Sequence, residues 1–268
     1  MRLVGKSEIM PALAIRFFDF FREKFKRAWI FILDVVFPKE CLGCGREGAW
    51  LCFGCFGRLP FKRCQSCPAC GRENDFGGVC PACREGVHLD GILAAGDYGN
   101  SLLAEAIKTF KYRFIRDLGA DLGKFLADFA DRIKNDPILA LTSRKMLDPA
   151  NANTVILAIP LHPRRERWRG FNQAEVLRQA LGAGQAETGE PIGRLRRIKH
   201  RRPQARLKGE ERRENIVGCF AWQGGSLENK NVILVDDVAT TGATMNEAAR
   251  VLKAAGAKKV WGLAVAKG

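Results

Sequence analysis

The chain has 268 residues, with 44 Lys and Arg against 29 Asp and Glu, a formal charge of +15. That length can bury a sizeable core in one or two domains. A 47% hydrophobic content excludes wholesale disorder, and 28 Gly and 11 Pro without a repeat exclude a collagen-like or low-complexity fibre. No long apolar run is free of charge, which excludes a multispanning membrane protein, and the surplus of cations points to anionic partners such as nucleic acid, phosphates or an acidic surface.

The first predicted element is an amphipathic helix within residues 1–38. Phe18, Phe21, Phe25, Trp29 and Ile32 recur at spacings of three and four among Arg22, Glu23, Lys24, Lys26 and Arg27. Asp34 interrupts the apolar stretch 30–37, so a membrane span is not expected. The helix packs on its own protein or lies on a membrane surface. The segment lacks the uninterrupted apolar stretch and small-residue cleavage site of a secretory signal. The expected compartment is therefore reducing, where a disulfide framework is disfavoured.

Residues 39–88 are expected to form a small metal-bound module. Nine of the ten cysteines lie from Cys41 to Cys83, and eight of those make four C-x2-C pairs: Cys41 and Cys44, Cys52 and Cys55, Cys67 and Cys70, Cys80 and Cys83. Two residues between thiolates let both sulfurs of one tight turn face the same ion, and a second turn completes a tetrahedron around Zn²⁺. Eight thiolates suffice for two closed structural sites. Sequence order groups the first four and the last four, while spacing leaves an interleaved pairing open. Redox dithiols and iron–sulfur clusters are the alternative chemistries. Cys64, three places before Cys67, is either a free thiol or a ligand in place of Cys70. With two four-thiolate zinc sites the net charge falls to about +11.

Residues 89–268 alternate short apolar runs with helical periodicity. Strands are expected at Ile92–Ala95, Thr154–Ile159, Val232–Val235 and Val260–Val265. Helices are expected at Ser101–Lys111, opened by Asn100 or Ser101, along Leu118, Leu122, Phe125, Leu126 and Phe129, and at Ala243–Ala255 with Gly256 as its stop. Residues 135–153 and 183–190 read as loops. This alternation specifies an α/β fold with a largely parallel sheet flanked by helices.

The sharpest motif runs from 231 to 249. An apolar strand ends in Asp236 and Asp237, a small-residue loop follows (Ala239, Thr240, Thr241, Gly242, Ala243, Thr244), and a helix begins. Ligands bind at the carboxyl ends of parallel strands. Loop amides and a helix N-terminus suit a phosphate, and adjacent carboxylates suit a sugar diol or a hydrated Mg²⁺. Together they describe a ribose 5-phosphate. A second strand end carries Pro160, Leu161, His162 and Pro163, a short turn whose amides can hold pyrophosphate, with Arg164 and Arg165 adding charge. His162 reads as structural rather than catalytic. From 164 to 213 there are 15 basic and 6 acidic residues, so this fifth of the chain holds nine of the fifteen excess charges. Trp168 and Phe171, interleaved among them, are candidates for stacking on nucleobases.

The 231–249 motif resembles the phosphoribosyl-pyrophosphate motif of type I phosphoribosyltransferases. The resemblance implies that Asp236 and Asp237 hold the ribose hydroxyls, that Ala239–Thr244 wrap the 5-phosphate, and that the 160–165 turn is the pyrophosphate loop. Ala239 stands where that family often has a bulkier apolar residue. Thr240 stands where its 6-oxopurine salvage enzymes carry an acid, against hypoxanthine or guanine salvage. The wider pattern is similar to the ComF family. It comprises the double cysteine module, Ile107–Lys108, Lys111–Tyr112, IPLHPRRERWRGFNQA, RRPQARLKGEERRENIVGCF and VILVDDVATTGAT, over roughly residues 33 to 268. The RGFNQ and DDVATTGAT segments are the most specific parts. This resemblance implies a double zinc-ribbon module with two structural Zn²⁺ ions before a phosphoribosyltransferase-like domain. It also implies a cytoplasmic bacterial role in DNA uptake during natural transformation, with single-stranded DNA and DNA-uptake machinery proteins as partners.

Two functions are therefore expected, alone or together. One is a binder of phosphoribosyl pyrophosphate with Mg²⁺, or a true transferase whose arginines and Mg²⁺ hold the leaving pyrophosphate while a basic segment around Gln204–Lys208 closes over it. The other is a single-stranded DNA factor that keeps the transferase fold as a scaffold or nucleotide sensor. A phosphoribosyltransferase of nucleotide salvage, acting on an unidentified base, is the alternative.

Overall fold

The computed structural model describes residues 38–113, 115–135, 153–181, 193–199 and 216–268. The helix expected within 1–38, the loops expected over 135–153 and 183–190, and the segment 204–208 lie outside these residues, apart from Pro38 and the loop ends Asn135 and Asn153. The chain divides between Cys52 and Phe53 into two compact units.

In the first unit the backbone doubles back. Glu40 bridges Glu47 antiparallel, Gly48 N donates to Lys39 O at 2.8 Å, and Leu42 N donates to Trp50 O at 2.9 Å.

The second unit contains, in chain order, α1 (Phe53–Phe56), β1 (Gln65–Ser66), β2 (Glu73–Asn74), a 3₁₀ turn (Pro81–Cys83), β3 (Gly91–Asp97), α2 (Ser101–Tyr112), α3 (Leu118–Asn135) and β4 (Thr154–Ala158). It continues with α4 (Pro163–Arg169), α5 (Gln173–Ala180), β5 (Gly193–Arg197), β6 (Phe220–Gly224), β7 (Asn231–Ala239), α6 (Ala243–Ala254) and β8 (Lys259–Lys267). The main sheet is parallel, in the order β3-β8-β7-β4. Its central strands read as unbroken apolar runs because both faces are covered. Val232, Leu234, Val260 and Ala264 join one core with Ala248 and Leu252 of α6. The alternate residues Ile233 and Leu263 point the other way, toward Ala130 of α3 and Leu181 just past α5.

Local chemistry sets the boundaries. The Asn100 side chain accepts from Leu103 N at 2.9 Å and opens α2. Gly256, at φ +100°, lies just past the end of α6, as its place in the sequence requires. Three elements differ from expectation. β7 does not stop before its acids but runs through Asp236 and Asp237 to Ala239, so both carboxylates sit on paired strand backbone. The turn after β4 leads into a helix, α4, with Gly170 at its C-cap in the left-handed region. Part of the basic run is a strand: β5 pairs antiparallel with β6, from Gly193 opposite Gly224 to Arg197 opposite Phe220.

Candidate functional site

The carboxyl ends of β4 and β7 open into one pocket of about 350 Å³. It gathers most of the residues that the two motifs nominate: Leu161, Arg165, Asp236, Asp237, Ala239, Thr240, Thr241, Gly242, Ala243 and Thr244. His162 and Arg164 are not among its walls. His162 instead caps α4, its Nδ1 accepting from Arg164 N at 3.2 Å.

The acidic wall is built by β7. Asp236 Oδ1 accepts from Asp237 N at 2.8 Å, and Asp237 Oδ1 accepts from Val238 N at 2.7 Å. Lys111, at the end of α2, places Nζ 2.9 Å from Asp237 Oδ1. Burial pulls Lys111 down, but the charges of Asp237 and Asp236 outweigh it and its affinity for the proton rises. Asp236 has no such partner among the described residues. Burial first, and then the charge of Asp237, push its carboxyl up to about 8. A group held in that condition favours a ligand that hydrogen-bonds or neutralises it.

The phosphate end is the loop between β7 and α6. Gly242 sits at φ +70°, a backbone conformation that favours glycine, and a Cβ there would press on the end of the Ile92 side chain at 2.9 Å. Lys267 Nζ donates to Thr240 O, and Gly268 N donates to Ala239 O at 3.0 Å, fixing the loop to the end of β8. Ala243 N, the first amide of α6, donates to Thr241 Oγ1 at 3.4 Å, and the amides and threonine hydroxyls of this turn are groups that suit an anion.

The basic wall comes from three elements. Arg165 and Arg169 lie on α4, and Arg197 ends β5. Burial, and then the neighbouring Arg169, lower Arg165; burial, and then Arg165, lower Arg197. Arg197 is only 8% exposed, and its Nε has no hydrogen-bond partner among the described residues. Arg169 Nη1 donates to Gln173 Oε1 at 3.0 Å, and its guanidinium lies 5.5 Å from the Tyr112 ring centroid. Tyr112 is half-exposed at the pocket mouth. Sequence reasoning missed Arg169 and Arg197 as pocket residues and quoted Lys111 and Tyr112 only as part of a pattern. The alternation Arg194, Leu195, Arg196 was the available signal for a strand at β5. Of the two stacking candidates, Trp168 is 64% exposed, whereas Phe171 packs on Phe110 at 5.4 Å between ring centroids.

Within the second unit Cys67, Cys70, Cys80 and Cys83, consecutive pairs in the sequence, hold their sulfurs within 4.8 Å of one another, and exposed Cys64 is not among them. Burial raises Cys41 and Cys67, but surrounding backbone amides more than reverse it and bring each down to about 6. Hydrogen bonds from Cys80 and Cys70 push Cys83 up to about 12, the cost of crowding thiols without a cation. Four sulfurs, helped by amides and lacking an open position, fit a closed structural Zn²⁺ site in this group.

A family model for the phosphoribosyl transferase domain matches residues 194–266, and one for the double zinc ribbon domain matches residues 32–86. Competence protein ComFC of Bacillus subtilis (strain 168) is 30% identical over 210 residues, covering 75% of this chain and 77% of that protein. Competence protein F of Haemophilus influenzae is 29% identical over 220 residues, covering 80% and 90%. The DNA utilization protein YhgH of Escherichia coli (strain K12) is 33% identical over 110 residues, 40% of this chain and 47% of that protein. Cysteine clusters ahead of a parallel sheet, with a two-acid loop at its rim, thus meet the same match over most of the chain: it belongs to the ComF family of competence proteins and carries a phosphoribosyltransferase domain together with a double zinc ribbon.

Proposed function

We propose that the pocket binds phosphoribosyl pyrophosphate with Mg²⁺ and that the protein serves the handling of incoming single-stranded DNA in the cytoplasm. The observation that carries the ligand is the convergence of Asp236 and Asp237, the 240–244 loop and three arginines on one cavity of about 350 Å³. In this reading the two carboxylates hold the ribose hydroxyls and the loop amides and threonines hold the 5-phosphate. Arg165, with Arg169 and Arg197 behind it, faces the pyrophosphate. Mg²⁺, with Asp236 and Asp237 as the nearest acids to receive its hydration shell, would supply charge that steadies the leaving pyrophosphate. If transfer occurs, a nucleophile attacks the anomeric carbon, that carbon's bond to pyrophosphate oxygen breaks, and pyrophosphate departs with the bonding pair. Asp236 and Asp237 are then placed to favour the positive charge that develops on the sugar ring.

The DNA role rests on family membership and on the +15 charge. Exposed Trp168 between Arg167 and Arg169 supplies a stacking surface beside the pocket.

Calorimetric titration of the purified protein with phosphoribosyl pyrophosphate and Mg²⁺ tests the first half. One site per chain is expected, and no heat with the zinc-loaded protein would refute it. Release of pyrophosphate on adding a free base would instead make the protein a salvage transferase. Single-stranded DNA affinity should fall steeply with salt, because phosphate contacts release counterions; a flat response would refute that half.

A further inference from the structure

The second cysteine ribbon is built onto the sheet itself. β3 is an edge strand, and the ribbon occupies its outer edge. Ile92 N donates to Gly77 O at 2.9 Å and Val79 N donates to Asp90 O at 3.0 Å. The side chain of buried Gln65 completes the pairing: Ala94 N donates to its Oε1 at 3.0 Å, and its Nε2 donates to Ala94 O at 3.1 Å. The approach is so close that a Cβ at Gly77, which has φ +65°, would come within 2.1 Å of Ile92 O.

From this anchor the turn between Cys67 and Cys70 extends to the phosphate loop. A Cβ at Gly242 would meet Pro68 Cβ at 3.4 Å and Pro68 O at 3.9 Å. Gly242 opens α6 without a side-chain cap, so the loop's shape depends on what packs against it. The chain leaving the ribbon is tied to the same helix, since Asn246 Oδ1 accepts from His88 N at 2.8 Å and Leu89 N at 3.2 Å. Between these contacts lies a cavity of about 530 Å³, walled by Pro68, Ala69 and Cys83 on one side and Thr241, Gly242 and Ala243 on the other. Open space there leaves Pro68 with few substitutes. The ribbon has little core of its own, so its thiolate cage sets the position of Pro68.

We propose that Pro68 is a positioning residue for the phosphate loop, and that zinc loading of the second ribbon sets how well ordered Thr241–Thr244 are before ligand arrives. The ribbon contains an internal control. Cys80–Pro81–Ala82–Cys83 repeats the sequence Cys67–Pro68–Ala69–Cys70, yet Pro81 enters a 3₁₀ turn and lines neither this cavity nor the ribose-phosphate pocket.

The test uses the zinc-loaded full chain with Pro68→Gly and Pro81→Gly, zinc content being measured in each. In the ligand-free protein, amide exchange at Thr241–Thr244 should quicken roughly tenfold in Pro68→Gly and by less than about twofold in Pro81→Gly. Affinity for phosphoribosyl pyrophosphate with Mg²⁺ should fall roughly tenfold in the first variant only. This second arm rests on the proposed ligand; the exchange arm does not. A loosened loop in a protein that binds no phosphoribosyl pyrophosphate therefore refutes the ligand and keeps the coupling. Equal exchange in the two variants overturns the coupling. If Pro68→Gly loses zinc or fails to fold, chelation of wild type replaces it. Faster exchange at Thr241–Thr244 with β8 unchanged then supports the coupling, and a loop as protected as in the zinc-loaded protein overturns it.

Discussion

β4 and β7 are parallel neighbours that finish at the same pocket, yet their ends carry opposite charge. The β7 wall carries an ion pair of its own, Lys111 lying 2.9 Å from Asp237, while Asp236 accepts from a backbone amide. The wall beyond β4 is cationic. Arg169 and Arg197 have no carboxylate partner among the described residues, and burial and neighbouring positive charge lower both Arg165 and Arg197. A buried cation lacking a carboxylate is costly, and beside a cavity it suits an anionic ligand. In the proposed reading the acidic wall already holds a cation, Lys111, and the basic wall takes its anion from the ligand.

This contrast can be broken from either side. The largest effect is expected from Asp236→Asn with Asp237→Asn together. Phosphoribosyl pyrophosphate affinity should fall at least about a hundredfold by calorimetry, because the hydrogen bonds from both carboxyl groups to the sugar are lost. Near-normal affinity would remove the acids from the site. Next is Arg197→Ala, expected to weaken binding about tenfold to thirtyfold and to flatten its salt dependence, without destabilising the free protein. A lowered melting temperature with unchanged affinity would make Arg197 a structural residue.

A smaller effect concerns pH. Unfolded, the Asp236 carboxyl titrates near 4; folded, it is raised to about 8. The folded state holds the extra proton between those values, so stability falls as pH rises through that window. Asp236→Asn removes that penalty. Its melting temperature should exceed wild type by several degrees at pH 8 and approach it as pH falls toward 4. An advantage that grows toward low pH would contradict the assigned sign. The smallest effect is expected from His162→Ala. Loss of the α4 cap should cost about 0.5–1 kcal/mol in denaturant unfolding and leave affinity within about twofold. A large affinity loss would restore His162 to the site.

The sequence made the α/β alternation legible because the β7 and β8 runs are long, apolar and buried on both faces. Asp236, Asp237 and the Thr-rich loop were legible because they are contiguous, and the cysteines because four pairs recur in one short stretch. The less visible parts depend on distant partners. Lys111 belongs to the site only because α2 ends beside β7, more than a hundred residues away in sequence. Arg197 reads as one charge in a basic run until β5 pairs with β6 and buries it. The extension of β7 to Ala239 was hidden for a related reason. Consecutive acids look like the end of a strand, yet pairing with β8 through Val238 and Ala239 holds them in it.

The most direct test of a single pocket with two unlike walls is competition in the wild-type protein. With phosphoribosyl pyrophosphate and Mg²⁺ bound, ribose 5-phosphate and inorganic pyrophosphate should each displace it completely, the first from the acidic wall and loop and the second from the arginines. Displacement by neither, or by pyrophosphate alone with ribose 5-phosphate inert at saturation, would contradict the account.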